Sequence, residues 1–427
     1  ITNCSSSLNI SLSVTDSSGS GENGNTVTQS NTGGIVGGFE NSSYASVSQC
    51  AYSGTITTSG TGAFINLGGI VGIAGTISNC TTSGAINMAG GRMENVGGIA
   101  GRVYSSTTNC ISNMSITLNS NANKYGISNI QYVGGLVGNG VTITNCTTNG
   151  TITASASNSF DSYYAQINYV GGLVGTAYTI SSSSASGAIN IKSGKSAQYV
   201  GGIAGYLRNG VNKSYSTMNI SVTPEGQNIG GLAGYGYSTT INQCYSTGNV
   251  TAANSSYVGG FLGYGASKID QSYSTGNVTG ASYVGGFIGQ GTYGTINNSY
   301  TTGNVTGSGS NVGGFIGNAS SETIDTCYAS GIVNYTGSSS NFGGFTGSYS
   351  NSLQNCYYNS ANSTGLNYGT AISLSDMQNQ SIMTANGFTT AKGWKYESGK
   401  TPQLNYSISI NACLLYTSPS PRDRTRS

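Results

Sequence analysis

An apolar residue, two glycines, two apolar or small residues and a further glycine recur along this chain, and that recurrence limits the available folds more than any other feature. The unit is complete in Tyr283-Val284-Gly285-Gly286-Phe287-Ile288-Gly289. Its first glycine falls at Gly33, Gly68, Gly97, Gly134, Gly171, Gly201, Gly230, Gly259, Gly285, Gly313 and Gly343, eleven copies spaced 26 to 37 residues apart. A unit of this length is one supersecondary element that cannot bury its own apolar face, so neighbours must stack into a continuous core.

A second anchor follows the double glycine. It reads Ile-x-x-Cys or Ile-x-x-Ser, then a glycine four positions on, then Ile or Val, as in Ile241, Cys244, Gly248 and Val250, or Ile269, Ser272, Gly276 and Val278. From Cys244 the even offsets carry Ser246, Gly248 and Val250, and the odd ones carry Tyr245, Thr247, Asn249 and Thr251. That alternation of period two is a half-buried strand, with the small and apolar set facing inward. No stretch of the array holds an apolar stripe at helical spacing, and abundant Gly, Ser, Thr and Asn disfavour helix interiors. From the first glycine to the Ile position the distance is 9 to 11 residues in nearly every copy, whereas from the later glycine to the next double glycine it runs from 9 (Gly276 to Gly285) to 21 (Gly150 to Gly171). Insertions, including those within 119–131 and 154–168, therefore collect at one corner, where solenoids often meet a partner. The fold expected is all-β: a parallel β-helix or β-solenoid of about eleven to twelve coils of roughly 30 residues, with a small C-terminal cap.

The Gly-Gly-apolar-x-Gly core, preceded by Tyr-Ser-Thr-Gly-Asn-Val-Thr at Tyr245–Thr251 and Tyr273–Thr279 and by a close variant at Tyr300–Thr306, resembles the GLUG-motif repeat family. The resemblance runs from Gly33 to about Tyr358. It implies a large secreted or cell-surface protein, adhesin-like or carrying the non-catalytic repeats that accompany immunoglobulin A peptidases. It defines a scaffold and leaves the ligand open.

Taken in order, Ile1-Thr2-Asn3-Cys4 already reads as a second anchor, so residues 1–360 are expected to be an array entered part-way through. Beyond Tyr358 the pattern stops. Residues 361–412 hold the single tryptophan, Trp394, and a helix-prone Met377-Gln378 stretch, and are expected to cover the open edge of the last coil, with Trp394 in its core. Residues 413–427 carry two of the four prolines and three of the six arginines, and resemble translated adapter or vector sequence. Removing Arg422, Arg424, Arg426 and Asp423 from the chain's 14 basic and 12 acidic groups leaves 11 of each.

That composition narrows the chemistry. With no histidine in the chain, the commonest general base and metal ligand is missing. Charged residues, 6% of the total, are scattered singly, so no carboxylate pair and no basic patch emerge. Asp270 and Asp325 read as turn residues. No catalysis, cofactor, metal, nucleic-acid partner or membrane-spanning segment is expected. Eight of the nine cysteines (Cys4, Cys50, Cys80, Cys110, Cys146, Cys244, Cys327 and Cys356) share one repeat position, which Ser183, Ser214, Ser272 and Ser299 fill elsewhere. The interchange reads as a slot for a small inward side chain; disulfides between neighbouring coils, Cys50 with Cys80 or Cys327 with Cys356, are the alternative.

If the coils stack in register, Tyr245, Tyr273, Tyr300 and Tyr328 form one outward column, with Thr247, Thr275 and Thr302 beside it and Asn249, Asn277 and Asn304 beyond. Aromatic faces beside hydroxyls and amides suit a sugar. The functional expectation is an extracellular, surface-exposed, non-catalytic adhesion repeat that binds glycans or extracellular proteins multivalently. Two alternatives remain: an ice- or polysaccharide-binding solenoid, and an accessory region of a larger secreted enzyme such as a peptidase.

Overall fold

The computed structural model describes residues 1–14, 31–38, 45–121, 128–157, 165–338, 341–349, 352–362, 365–366 and 368–410. They form a parallel β-solenoid of about ten turns, 65% strand and 4% helix. The turn from Val278 shows the plan. A first wall, Val278–Gly285, runs into the double glycine; a second, Ile288–Thr292 and Thr295–Asn297, follows it; a third, Tyr300–Thr301, leads to Val305–Gly307, which pairs with Val278–Gly280 and opens the first wall of the next turn. Each wall pairs in parallel with its counterpart one repeat on, as Val284 with Val312, Ile288 with Ile316 and Tyr300 with Tyr328.

All eleven first glycines fall into one ladder, from Gly33 paired with Gly68 to Gly313 paired with Gly343. Eleven rungs enclose ten intervals, which is why about ten turns close where eleven to twelve coils were expected from the repeats. These glycines are not there for a left-handed backbone, since none of the double glycines has a positive φ among the described residues. They are there for closeness. A Cβ on Gly68 would lie 2.3 Å from the Val71 oxygen and 2.5 Å from the Ala100 Cα, and one on Gly69 would lie 2.2 Å from the Gly98 oxygen. Any side chain would force successive turns apart at this corner.

Left-handed backbone appears elsewhere. The residue before each cysteine or serine slot, from Asn3 through Asn79, Gln243 and Asn298 to Asn355, has φ between 44° and 56°. It turns the second wall into the third. Asn tolerates this conformation best after Gly, because its short amide bonds locally, and here the amides also bond between turns: Asn145 Nδ2 donates to Asn109 Oδ1 at 2.7 Å, and Asn298 Nδ2 to Asp270 Oδ1 at 2.9 Å.

The inward residues stack into columns. Val96, Val133 and Val170 continue one; Phe261, Phe287, Phe315 and Phe345 form another, with ring centroids 4.5 to 4.9 Å apart. Each such side chain contributes about 1.5–3 kcal/mol by leaving water, and the columns form one core along the array.

The C-terminal segment does more than cover the open edge of the last coil. Leu366 and Thr370–Ile372 do pair onto the last turn, at Gly343 and Tyr357–Asn359. The rest folds back along the flank: helices α1 (Leu374–Met377) and α2 (Gln380–Ala385) and a two-stranded antiparallel ribbon, Trp394–Lys395 with Gln403–Leu404. Tyr406 reaches as far as the Cys244 carbonyl, donating its hydroxyl hydrogen bond at 3.2 Å. Ser373 and Asn379 cap the two helices by accepting from backbone N–H groups. Residues 411–412 of the expected cap and the tail 413–427 lie outside the described residues. No helix among the described residues is long and apolar enough to cross a membrane.

Candidate binding surface

The third wall carries the tyrosine column in the expected register, Tyr245 with Tyr273, Tyr273 with Tyr300 and Tyr300 with Tyr328. The rings stack at 4.9, 4.9 and 5.1 Å with interplanar angles of 5° to 7°, and Tyr215 extends the column beyond Tyr245 at 4.7 Å. Stacking at this distance spends each ring face on its neighbour. Only edges and hydroxyls are left to point outward.

Much of the column is also covered. Tyr300 and Tyr328 are buried with Trp394, Phe388, Met377 and Met383, and Tyr273 packs against the same cluster. The Tyr328 hydroxyl donates to the Pro402 carbonyl. Burial pushes the Tyr273 hydroxyl up to about 12 and raises that of Tyr300 and of Tyr328 as well. Tyr300 and Tyr328 therefore belong to an internal interface with the folded-back segment and not to a free ligand face, and the half-buried Tyr245 marks where the cover ends. Trp394, expected in a core, lies in this one.

The polar columns beside it face outward. Thr247 is exposed, Thr275 and Thr302 are half-buried, and Asn249, Asn277 and Asn304 are exposed. The asparagines have structural work: the backbone N–H of Asn277 donates to Asn249 Oδ1, that of Asn304 to Asn277 Oδ1, and that of Ile332 to Asn304 Oδ1, each at 2.9 Å. These bonds close a corner where the ladder would otherwise leave a donor unpaired.

The cysteine slot proves to be more than small. Its eight cysteines are free, and all but Cys4 are buried. Each buried thiol donates to the carbonyl two residues back, as Cys244 to Asn242 and Cys110 to Thr108 at 3.2 Å, and the serines make the same bond, as Ser272 to Asp270 at 2.9 Å. Ser272 Oγ also accepts the backbone N–H of Cys244. Thiol and hydroxyl are interchangeable here because both donate and both accept. Burial pushes the Cys244 and Cys356 thiols up to about 12, so they stay protonated and unreactive at neutral pH.

Sequence reasoning missed two further tyrosine columns flanking the double-glycine corner. Tyr132, Tyr169 and Tyr199 stack at 4.8 and 4.9 Å, and Tyr206, Tyr235 and Tyr264 at 4.9 and 5.3 Å. The first set sits two residues before the double glycine with φ of 57° to 59°. A left-handed tyrosine costs roughly 1–2 kcal/mol, and a stacked pair returns roughly 0.5–1.5 kcal/mol, so the ring column offsets much of the strain. The signal was present as Tyr-Val-Gly-Gly at several copies. Of the insertions expected at the variable corner, 119–131 and 154–168, residues 122–127 and 158–164 lie outside the described residues.

The family model of the GLUG motif matches residues 225–251, which is one full turn carrying Gly230, Gly231 and the Cys244 slot. The turns on either side pair with it in parallel, with register shifts in the second wall. No curated protein and no solved structure matches the chain.

Proposed function

We propose that this GLUG-motif β-solenoid is a non-catalytic scaffold of the cell surface or extracellular space that binds glycans or proteins multivalently. One observation carries the reading: over about ten turns the outer surface presents like side chains in register, at the strand spacing of about 4.8 Å. A surface of that kind offers many weak, equivalent contacts along one axis. Multivalency turns these into avidity only when a partner engages several turns at once. The outward row that reads Thr217, Thr247, Thr275 and Thr302 becomes Asn149 and Ser186 on earlier turns, and such a mixed row favours a sugar or protein partner over an ice lattice.

The test is retention of the full chain on a glycan array and on cells, compared with arrays shortened by two and by four whole turns between Gly171 and Gly285. Retention should fall steeply with each pair of turns removed. Equal retention by all three proteins, with the fold intact by circular dichroism, would overturn the reading.

A further inference from the structure

Four tyrosines stand clear of the stacked columns. Tyr104, Tyr178, Tyr237 and Tyr293 are 39%, 51%, 51% and 77% exposed. Each follows the first glycine of its own turn by seven or eight residues, after Gly97, Gly171, Gly230 and Gly285. These are alternate turns. The second wall is bulged there, with register shifts between Val103 and Ser106, Ala177 and Thr179, and Tyr237 and Thr239, while Tyr293 itself has φ 56°. A bulge re-aims a side chain off the wall.

Alternate rungs are about 9.6 Å apart, too far for one ring to stack on the next. The ring faces are thus left open, in contrast to the columns at 4.7 to 5.1 Å on the third wall. Tyr104 is the exception, with the Arg102 guanidinium 4.7 Å from its ring centroid. The turns between Tyr178, Tyr237 and Tyr293 carry exposed basic residues: Arg208 after Gly201, and Lys268 after Gly259, the latter paired between Thr240 and Thr295. Neither cation forms an ion pair among the described residues. Between Tyr237 and Tyr293 lies a cleft of about 360 Å³ lined by Ser238, Thr240, Lys268 and Thr295.

The geometry points to Tyr178, Arg208, Tyr237, Lys268 and Tyr293, on five successive turns, as the seat of an extended acidic polysaccharide with a disaccharide repeat. An extended β-linked pyranose chain turns each ring over relative to the last, so like faces recur every second sugar, an interval close to two strand spacings, about 10 Å. One sugar of each pair stacks on a tyrosine, and the carboxylate or sulfate of the other meets the basic side chain of the turn between. Hydroxyls of Ser238, Thr240 and Thr295 supply hydrogen bonds to the sugar. Two cations over five turns are too sparse for a nucleic acid, whose phosphates recur roughly every 3.4 Å along a strand. This assignment rests on the binding reading above and names its ligand class and site.

Hyaluronan and chondroitin sulfate oligosaccharides of graded length are the probes, with cello-oligosaccharides as the neutral control, on the immobilised full chain. Affinity should rise steeply once the oligosaccharide is long enough to reach a second tyrosine. Tyr237→Ala with Tyr293→Ala should weaken binding about tenfold or more, and Tyr237→Phe with Tyr293→Phe should retain most of it. Arg208→Gln with Lys268→Gln should remove the salt dependence. All four substituted positions carry exposed side chains, so circular dichroism should be unchanged. No binding of either acidic probe, equal binding of the neutral chain, or full affinity in the folded alanine variant would overturn the assignment. If the array of whole turns still retains other glycans or cells while this strip is silent, the strip alone falls; if that retention is also indifferent to turn number, both readings fall.

Discussion

The carboxyl of Glu322 lies against Gly291 and Gly294, where a Cβ would approach Oε1 and Oε2 to 2.6 and 2.7 Å. It is 1% exposed, and Oε2 has no hydrogen-bond partner. Burial pushes its pKa from 4.5 up to about 8, against the pull of a hydrogen bond from the Gly294 backbone. The folded state therefore holds a proton that the unfolded chain releases, and stability from this group is fully present below about 4.5 and is lost as pH rises through about 8. The loss is on the order of several kcal/mol. Urea unfolding at pH 5, 7 and 9 should show stability falling, and Glu322→Gln should flatten that fall and be the more stable protein at pH 9. A wild-type chain more stable at pH 9 than at pH 5 would contradict this. At the cysteine slot the expectation is different in kind. Cys244→Ser keeps the bond to the Asn242 carbonyl and should cost under about 1 kcal/mol, whereas Cys244→Val strands buried polar groups and should cost roughly 1–3 kcal/mol. Reductant should leave the melting temperature unchanged, since a broken bridge would show as about 2–5 kcal/mol.

Among the elements, the folded-back segment decides how the third wall behaves. Trp394 lies 5.9 and 6.0 Å from the Tyr300 and Tyr328 rings and 4.9 Å from Phe388, centroid to centroid. Lys392 fastens the segment to the solenoid through Thr326 Oγ1 at 2.9 Å, and the Gln271 side chain donates to the Lys392 carbonyl at 3.3 Å. Trp394→Ala should cost about 3–5 kcal/mol. Because each turn contacts only its neighbours, that cost should stay local. Hydrogen exchange should quicken in the turns from Cys244 to Tyr357 and remain unchanged from Phe64 to Gly171. Uniform loss of protection along the array would instead mean that the solenoid opens as one cooperative unit.

At the scale of the whole molecule, the rod is a set of columns, and what matters at each position is the residue one repeat away. Phe261 meets Phe287, Asn249 meets Asn277, and Cys327 meets Cys356. Repetition makes these contacts self-consistent, since a residue that suits one turn suits the next. The outer surface inherits the same regularity, and its two kinds of tyrosine differ in wall, backbone and spacing. Rings on every turn of the third wall consume one another's faces; those of Tyr178, Tyr237 and Tyr293, at bulges on alternate turns, do not stack on one another.

The sequence by itself determined the period, the inward and outward sets, the parallel register and the shared cysteine or serine slot. Period-two alternation and fixed repeat spacing are local properties, and stacking has only one way to satisfy them. The tertiary structure alone decided which outward residues stay outward. Tyr300 and Tyr328 follow the same alternation as Tyr245, yet residues 373–406, far along the chain, fold back and bury them. It also decided that the double glycines serve close approach while Asn79, Tyr169 and their counterparts take the left-handed backbone. Burial and backbone angle at a corner depend on what the neighbouring turn and the returning segment place there, and no local pattern in the chain records that.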